Sequence, residues 1–178
     1  MPDVDRVVVV GTSGTGKTTL ARQLAARLGA AHLELDAVHH LPGWQAIAPD
    51  AFRAEVGTFV DAHDRWVVDG NYAAVREVLW PAADTVVWLD LSRARTMWRV
   101  TTRSLRRLAT REELWNGNRE QWGNLLSWDP ERSIVRWAWT THARRRSEFP
   151  AELADPRWQP LDVHRLRTPR EVTAFLAA

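Results

Sequence analysis

Residues 11–18 read GTSGTGKT and match the spacing GxxxxGK[ST] at Gly11, Gly16, Lys17 and Thr18. That spacing captures polyphosphate. Glycines let successive backbone N–H groups turn inward around phosphate oxygens, and a helix that follows adds the partial positive charge of its N-terminus. The cradle would run through Gly11, Thr12, Ser13, Gly14, Thr15 and Gly16, continued at the helix start by Lys17, Thr18 and Thr19. Lys17 would reach the β- and γ-phosphates, and Thr18 would offer its hydroxyl to Mg²⁺. Lys17 is also the only lysine; the other 23 of the 24 basic residues are arginines. A compact ammonium on a flexible stem fits a tightly enclosed phosphate, where a planar guanidinium is too wide.

A phosphate cradle specifies a nucleotide, not a reaction, because NTPases, switches and small-molecule kinases share it. The remaining chemistry must come from acids at strand ends and from mobile cations. Asp69 ends the apolar run in WVVDG and is followed by Asn71 in a Gly70 turn, so it is favoured over Asp90 as a second metal residue. Asp90, in VVWLD, alternatively caps the helix after it. The stretch DAVHHLPGWQ (36–45) reads as a pocket lip in which His39, His40, Trp44 and Gln45 offer an aromatic, hydrogen-bonding surface to a small polar molecule. The plainer alternative places both histidines on the surface and packs Trp44 on the core. Arg76 either approaches an acceptor anion from its helix or is solvated.

The elements that must position these residues alternate between strand-length apolar runs and helical patterns, the mark of an α/β domain with a mainly parallel sheet. RVVVV (6–10), AHLEL (31–35, ending at Asp36), RWVVDG (65–70) and DTVVWLDL (84–91) read as strands, and WQPLDVHRL (158–166) as a fifth. Helical patterns cover residues 16–29, 49–63, 72–80, 92–111, 131–149 and 168–178, with Ser92 and Thr168 at likely N-cap spacing and Pro169 at N1. In the helix from Ser92, arginines 95, 99, 103 and 107 form an i,i+4 stripe with no acid beside it, which costs helix stability unless an anion or acidic partner sits on it. Residues 112–130, rich in Gly, Asn and Trp, read as an irregular arm.

At 178 residues with no cysteine, one domain is expected, and disulfides or cysteine metal sites are excluded. No apolar run approaches the ~18 residues of a membrane span, and the acidic start is unlike a signal peptide, so a cytoplasmic protein is expected. The net charge of +2 hides a division: residues 93–146 carry thirteen arginines against five acids, a net of +8.

The order of the cradle, Asp36 after strand two, VVDGNY and ADTVVWLDLSRARTMWRVTTR resembles the adenylate-kinase-like branch of P-loop kinases. It is most similar to the group called adenylate-kinase-related or DNA topology modulation proteins. The resemblance implies a three-layer P-loop NTPase fold with a five-stranded parallel sheet over residues 1–178, ATP and Mg²⁺ as cofactors, an acceptor-binding arm at 37–64 and an arginine-rich helical lid at 103–131. Asp36 resembles the acid that shikimate- and gluconate-kinase-like enzymes use to deprotonate a substrate hydroxyl. The chain departs from nucleotide kinases in having no arginine between Leu28 and Phe52 and in carrying DGNY where DGxPR is expected. A small-molecule acceptor, bearing a hydroxyl, is therefore expected near Asp36, His40, Trp44, Asp69, Gly70, Asn71, Arg76 and Arg119. A nucleoside or nucleotide acceptor is the close alternative. Lid arginines would stabilise the transferring phosphoryl group: Arg103 and Arg111 first, then Arg99 against the adenine, then Arg119 and the run Arg144 to Arg146, with at least half of them surface residues or partners of Glu112, Glu113 and Glu120. The rival reading is a nucleic-acid-associated ATPase or regulator, motivated by the +8 segment and its interleaved Trp98, Trp115, Trp122, Trp128, Trp137 and Trp139.

Overall fold

The computed structural model describes residues 4–121, 123, 133–158 and 161–177, without the side chains of Ile134 and Trp137. Trp122, Trp128, the side chain of Trp137, residues 124–131 of the expected lid and residues 159–160 of the expected fifth strand lie outside the described residues.

The first strand, β1 (Arg6–Gly11), is a run of four valines in which alternate side chains serve opposite faces. Val7 and Val9 pack with Leu20, Leu24, Leu166 and Phe175 on one side. Val8 and Val10 pack with Phe52, Val56, Leu79 and Phe149 on the other. A strand buried on both faces belongs in the middle of a parallel sheet. The order is β2 (Ala31–Glu34), β5 (Trp66–Asp69), β1, β6 (Thr85–Leu89) and β7 (Asp162–Leu166), all parallel. Helix α1 (Lys17–Leu28) and the last helix (Pro169–Ala177) form one outer layer. Helix α3 (Pro49–Ala62), the short α4 (Arg76–Leu79) and the helix Ile134–Leu153 supply apolar side chains to the other. This is the expected three-layer fold with a five-stranded parallel sheet.

One local expectation is corrected and two are refined. The second strand stops at Glu34, two residues short of Asp36, and Leu35 opens the short helix α2 (Leu35–His39). The cause lies across the sheet: a Cβ on Gly70 would stand 2.6 Å from the Leu35 Cβ, so Leu35 fills the space that Gly70 leaves and turns the chain. The pocket lip is a small antiparallel hairpin, β3 (His40–Leu41) paired with β4 (Gln45–Ala46). Ser92 stands at the N-cap of helix α5 (Arg93–Thr110), as its spacing suggests, but makes no side-chain capping bond. Thr168 does cap, in a box where its hydroxyl accepts from Glu171 N–H at 3.2 Å and the Glu171 carboxylate accepts from Arg167 N–H at 2.7 Å.

Asp90 is taken up by arginines rather than by a helix cap. Arg165 donates to its Oδ2 at 2.6 and 3.0 Å, Arg146 stands 3.4 Å away, and the Arg165 guanidinium lies over Trp88, 4.2 Å from the ring centre. Asp90 therefore ties β6 to β7 and to the helix Ile134–Leu153. Among the described residues, no helix is long and apolar enough to cross a membrane.

Candidate functional site

The cradle leaves the carboxyl end of β1, where ligands of open parallel sheets bind. Gly14 and Gly16 hold φ of 86° and 98°, the left-handed region that a side chain resists. The Thr15 hydroxyl and N–H both donate to the Thr12 carbonyl, at 2.8 and 3.2 Å, and pin the loop across its mouth. Helix α1 starts from Gly16 with no side-chain cap and no acid in its first turn. Its first N–H groups therefore meet no built-in anion and can meet a phosphate. Arg99, from α5, donates to the Thr15 carbonyl at 3.3 Å and covers Gly16, where an added Cβ would stand 2.9 Å from its Nη2.

Burial lowers the Lys17 pKa from its ordinary value, against the opposing pull of Asp36 and Asp69; Arg103 and Arg145 push it further down. A cation so crowded calls for an anion beside it. Next to it the Thr18 hydroxyl lies 2.7 Å from Asp69 Oδ2 and 3.2 Å from Glu34 Oε1. Three hard oxygens thus meet at the foot of the cradle. Among the described residues no group of three or more His, Asp or Glu forms a full metal cage. One hydroxyl and two carboxylates suit Mg²⁺, which takes most of its ligands from water and phosphate. Glu34 was not among the residues singled out by the sequence. The signal was the alternation in AHLE, which puts His32 and Glu34 on one face, with Glu34 in register beside Asp69.

On the acceptor side, α2 delivers Asp36, whose Oδ1 accepts from the Tyr72 hydroxyl at 2.6 Å. Burial, helped by the Asp36 charge, raises the Tyr72 pKa far above its ordinary value, so the phenol stays a donor. Tyr72 was also missed, although it stands in DGNY beside three residues that were chosen. His39 packs against Tyr72 and Phe52, with ring centres at 4.4 and 5.4 Å. Around this point several buried polar atoms lack a partner among the described residues: His39 Nδ1, Asn71 Nδ2 and Arg103 Nε. Arg145 reaches in from the helix Ile134–Leu153 and donates to the Asn71 carbonyl at 3.4 Å. Burial lowers the pKa of both Arg103 and Arg145.

The segments expected as acceptor arm and lid meet. Residues 113–119 form a tight hairpin, with Asn116 and Gly117 at φ of 57° and 77°. The Asn116 amide donates to the carbonyls of Ala37 and His40 at 3.0 and 2.6 Å. Asn118, buried, donates to the Leu41 carbonyl at 2.9 Å and accepts from Trp44 N–H at 2.9 Å. Trp44 Nε1 donates to the Arg119 carbonyl at 3.2 Å. His40, Trp44 and Trp115 complete the junction as a cluster of rings 5.2 to 6.4 Å apart.

Other expected residues lie elsewhere. Arg111 is the exposed, left-handed C-cap of α5, about 12 Å along the helix axis from Arg103. The Arg119 side chain pairs with exposed Glu113 at 3.2 Å. Arg76 is held by Glu152 at 3.0 Å and lies over Trp80. Thr19 is exposed. The arginine stripe finds acids after all, since Arg107 pairs with Glu120 at 3.2 Å and Glu112 at 3.5 Å. Of the tryptophans in the +8 segment, Trp98 and Trp139 are 72% and 52% exposed.

The parallel sheet, the glycine cradle and the uncapped helix behind it define a P-loop NTPase fold. A family profile described as an AAA domain matches residues 7–121, and the chain belongs to that family. No curated protein matches the sequence. Solved structures with the same fold include shikimate kinase from Acinetobacter baumannii in complex with shikimate, at TM-score 0.55 and 18% identity over 98% of this chain and 90% of that one. Shikimate kinase from Bacteroides thetaiotaomicron is similar at TM-score 0.59 and 11% identity, over 98% and 95% of the two chains. A gluconokinase from Sinorhizobium meliloti 1021 gives 0.53 and 20% over 97% and 91%. At such identities the likeness is one of fold.

Proposed function

We propose that the protein is a kinase that transfers the γ-phosphoryl group of ATP to a hydroxyl of a small molecule. The observation that carries this reading is the convergence of Asp36, held by Tyr72 at 2.6 Å, on the same Lys17 that serves the cradle. The solved kinases of this fold, two named for shikimate and one for gluconate, agree in class.

The cradle amides and Lys17 hold the β- and γ-phosphates, and Arg99 braces the loop from above. Thr18, Asp69 and Glu34 would hold Mg²⁺, which supplies charge neutralisation between the phosphates. Asp36 Oδ2, with Oδ1 accepting from Tyr72, takes the acceptor hydroxyl's proton as its oxygen bonds to the γ-phosphorus and the bond from that phosphorus to the β-phosphate oxygen breaks, releasing ADP. Arg103 and Arg145 stand as half-buried cations against the charge spread over the transferring group.

The arm's own chemistry favours an acceptor outside the nucleotide class. Between Leu28 and Phe52 its only basic side chains are His32, His39 and His40. Of these only His39 and His40 face the acceptor side, and burial disfavours their protonation. The arm itself would offer a monophosphate no fixed positive charge. That separates this reading from a nucleotide-accepting member of the adenylate-kinase-like branch.

The test is ADP release in the presence of candidate hydroxyl-bearing metabolites. Turnover should depend on one of them, and Asp36→Asn should cut it about a hundredfold or more with ADP affinity unchanged. If no acceptor raises turnover above background hydrolysis, and Lys17→Ala leaves that background intact, the proposal fails.

A nucleic-acid role keeps one observation of its own, the exposed Trp139 with the Arg93 guanidinium 3.4 Å from its ring centre. Such binding would fall steeply with log salt; a flat response in a filter or anisotropy titration removes it.

A further inference from the structure

Asp69 is the most buried carboxylate at the foot of the cradle, with 2% of its side chain exposed, and both its oxygens are engaged. Oδ2 accepts from the Thr18 hydroxyl at 2.7 Å. Oδ1 is 2.8 Å from His32 Nε2. An ionised carboxylate only accepts hydrogen bonds, so Nε2 is the nitrogen that carries the proton. His32 lies on β2, in register with Val67 of β5, two residues before Glu34 and on the same face. Its ring therefore comes to Asp69 from the neighbouring strand, along a path fixed by the sheet.

The torsion that turns a carboxylate about its own bond is soft and broad. A donor fixed to one oxygen sets the plane of the group and aims the other oxygen. We infer that His32 is a positioning residue for the metal: it holds Asp69 Oδ1 so that Oδ2 faces Thr18 and the Mg²⁺ bound beside it. This rests on the reading of Thr18, Asp69 and Glu34 as the metal-holding oxygens. Glu34 offers an internal contrast. Its outer oxygen is held by Arg22 at 3.2 Å, but 66% of the Arg22 side chain is exposed, and exposed pairs contribute little. The half-buried histidine is the tether that matters.

Hydrogen-bonding partners behind a metal ligand are commonly worth ten- to a hundredfold in metal affinity. The experiment is ADP binding by calorimetry across a Mg²⁺ titration, with an EDTA arm, so that no acceptor or turnover is needed. His32→Ala should raise the Mg²⁺ concentration for half-maximal tightening of ADP about tenfold, and ADP affinity in EDTA should stay within about twofold. His32→Gln, which keeps an N–H donor, should recover most of the loss and provides the folded comparison if His32→Ala is unstable. Arg22→Ala should leave both arms close to wild type. The inference is overturned if folded His32→Ala or His32→Gln loses affinity equally in Mg²⁺ and in EDTA, which marks a structural role, or if the Mg²⁺ midpoint does not move in His32→Ala. A wild-type protein whose ADP affinity ignores Mg²⁺ overturns the metal assignment and this inference together. Failure to find an acceptor in the turnover assay would leave the metal midpoints untouched, so the two failures are read separately.

Discussion

The phosphate cradle and the junction between arm and lid are built by opposite means. The cradle is eight consecutive residues between the central strand of the sheet and the helix behind it, and backbone geometry holds it. The junction joins segments 74 to 79 residues apart through asparagine side chains on backbone atoms and a few stacked rings. A sheet-anchored loop opens only when the core opens. A junction of five hydrogen bonds, each worth about 1 kcal/mol net, opens far more readily. On the proposed function, one half of the site is fixed and the other separable, which suits a site that admits a second substrate and then excludes water.

Four measurements sharpen or break that contrast. The largest effect is expected at the fixed half, where Lys17→Arg should lower turnover at least about a hundredfold with little change in melting temperature; an active Lys17→Arg protein would mean that the cradle is looser than its geometry. Next is Gly70→Ala. At φ of 145°, with Leu35 2.6 Å from the new Cβ, it should cost about 2 kcal/mol or more, seen as a melting temperature lower by roughly 4–8 °C. Acceptor-dependent turnover should suffer more than ADP binding, because Leu35 carries Asp36.

Asn118→Ala tests the separable half. It strips part-buried backbone groups of Trp44 and Leu41 of their partner, so the acceptor KM should rise about tenfold while ADP affinity holds within twofold. An equal loss of ADP affinity would show that the halves are one unit. The smallest effect is on pH. Burial lowers the pKa of His39 and His40 below the ordinary value of about 6.5, Asp36 pulling weakly the other way. The unfolded chain then binds protons before the folded one does. Stability is fully present above pH 6.5 and declines as pH falls from there toward the folded values. The melting temperature should be lower at pH 5.5 than at pH 7.5, and replacing both histidines with glutamine should flatten the slope.

The same contrast governs what the sequence discloses. Four valines in a row and a glycine pattern before an amphipathic helix are local signals, and they led directly to β1, the cradle and α1. Asp69 was reached because it ends a strand next to β1. Glu34 was overlooked because strand two was read as continuing to Asp36, and Leu35 changes course only because Gly70, across the sheet, makes room for it. Arg111 continues the i,i+4 spacing of Arg103 and Arg107, but α5 ends at Thr110, so the stripe stops short of it. In the run Arg144 to Arg146, helical rotation decides: Arg145 turns inward to Asn71, and its neighbours are exposed. Asn116 and Asn118 carry no periodic signal. Their partners lie across a distance that only the folded chain closes.

The solitary lysine gives the molecule an unusual reagent profile. Amine-directed chemistry acts on the unprotonated form, and burial lowers the Lys17 pKa, enlarging that fraction near neutral pH. Acylating probes and amine crosslinkers therefore have a single side-chain target in this protein, at the floor of the nucleotide cradle. Bound nucleotide should shield it, so a mass shift at one residue becomes a direct gauge of occupancy.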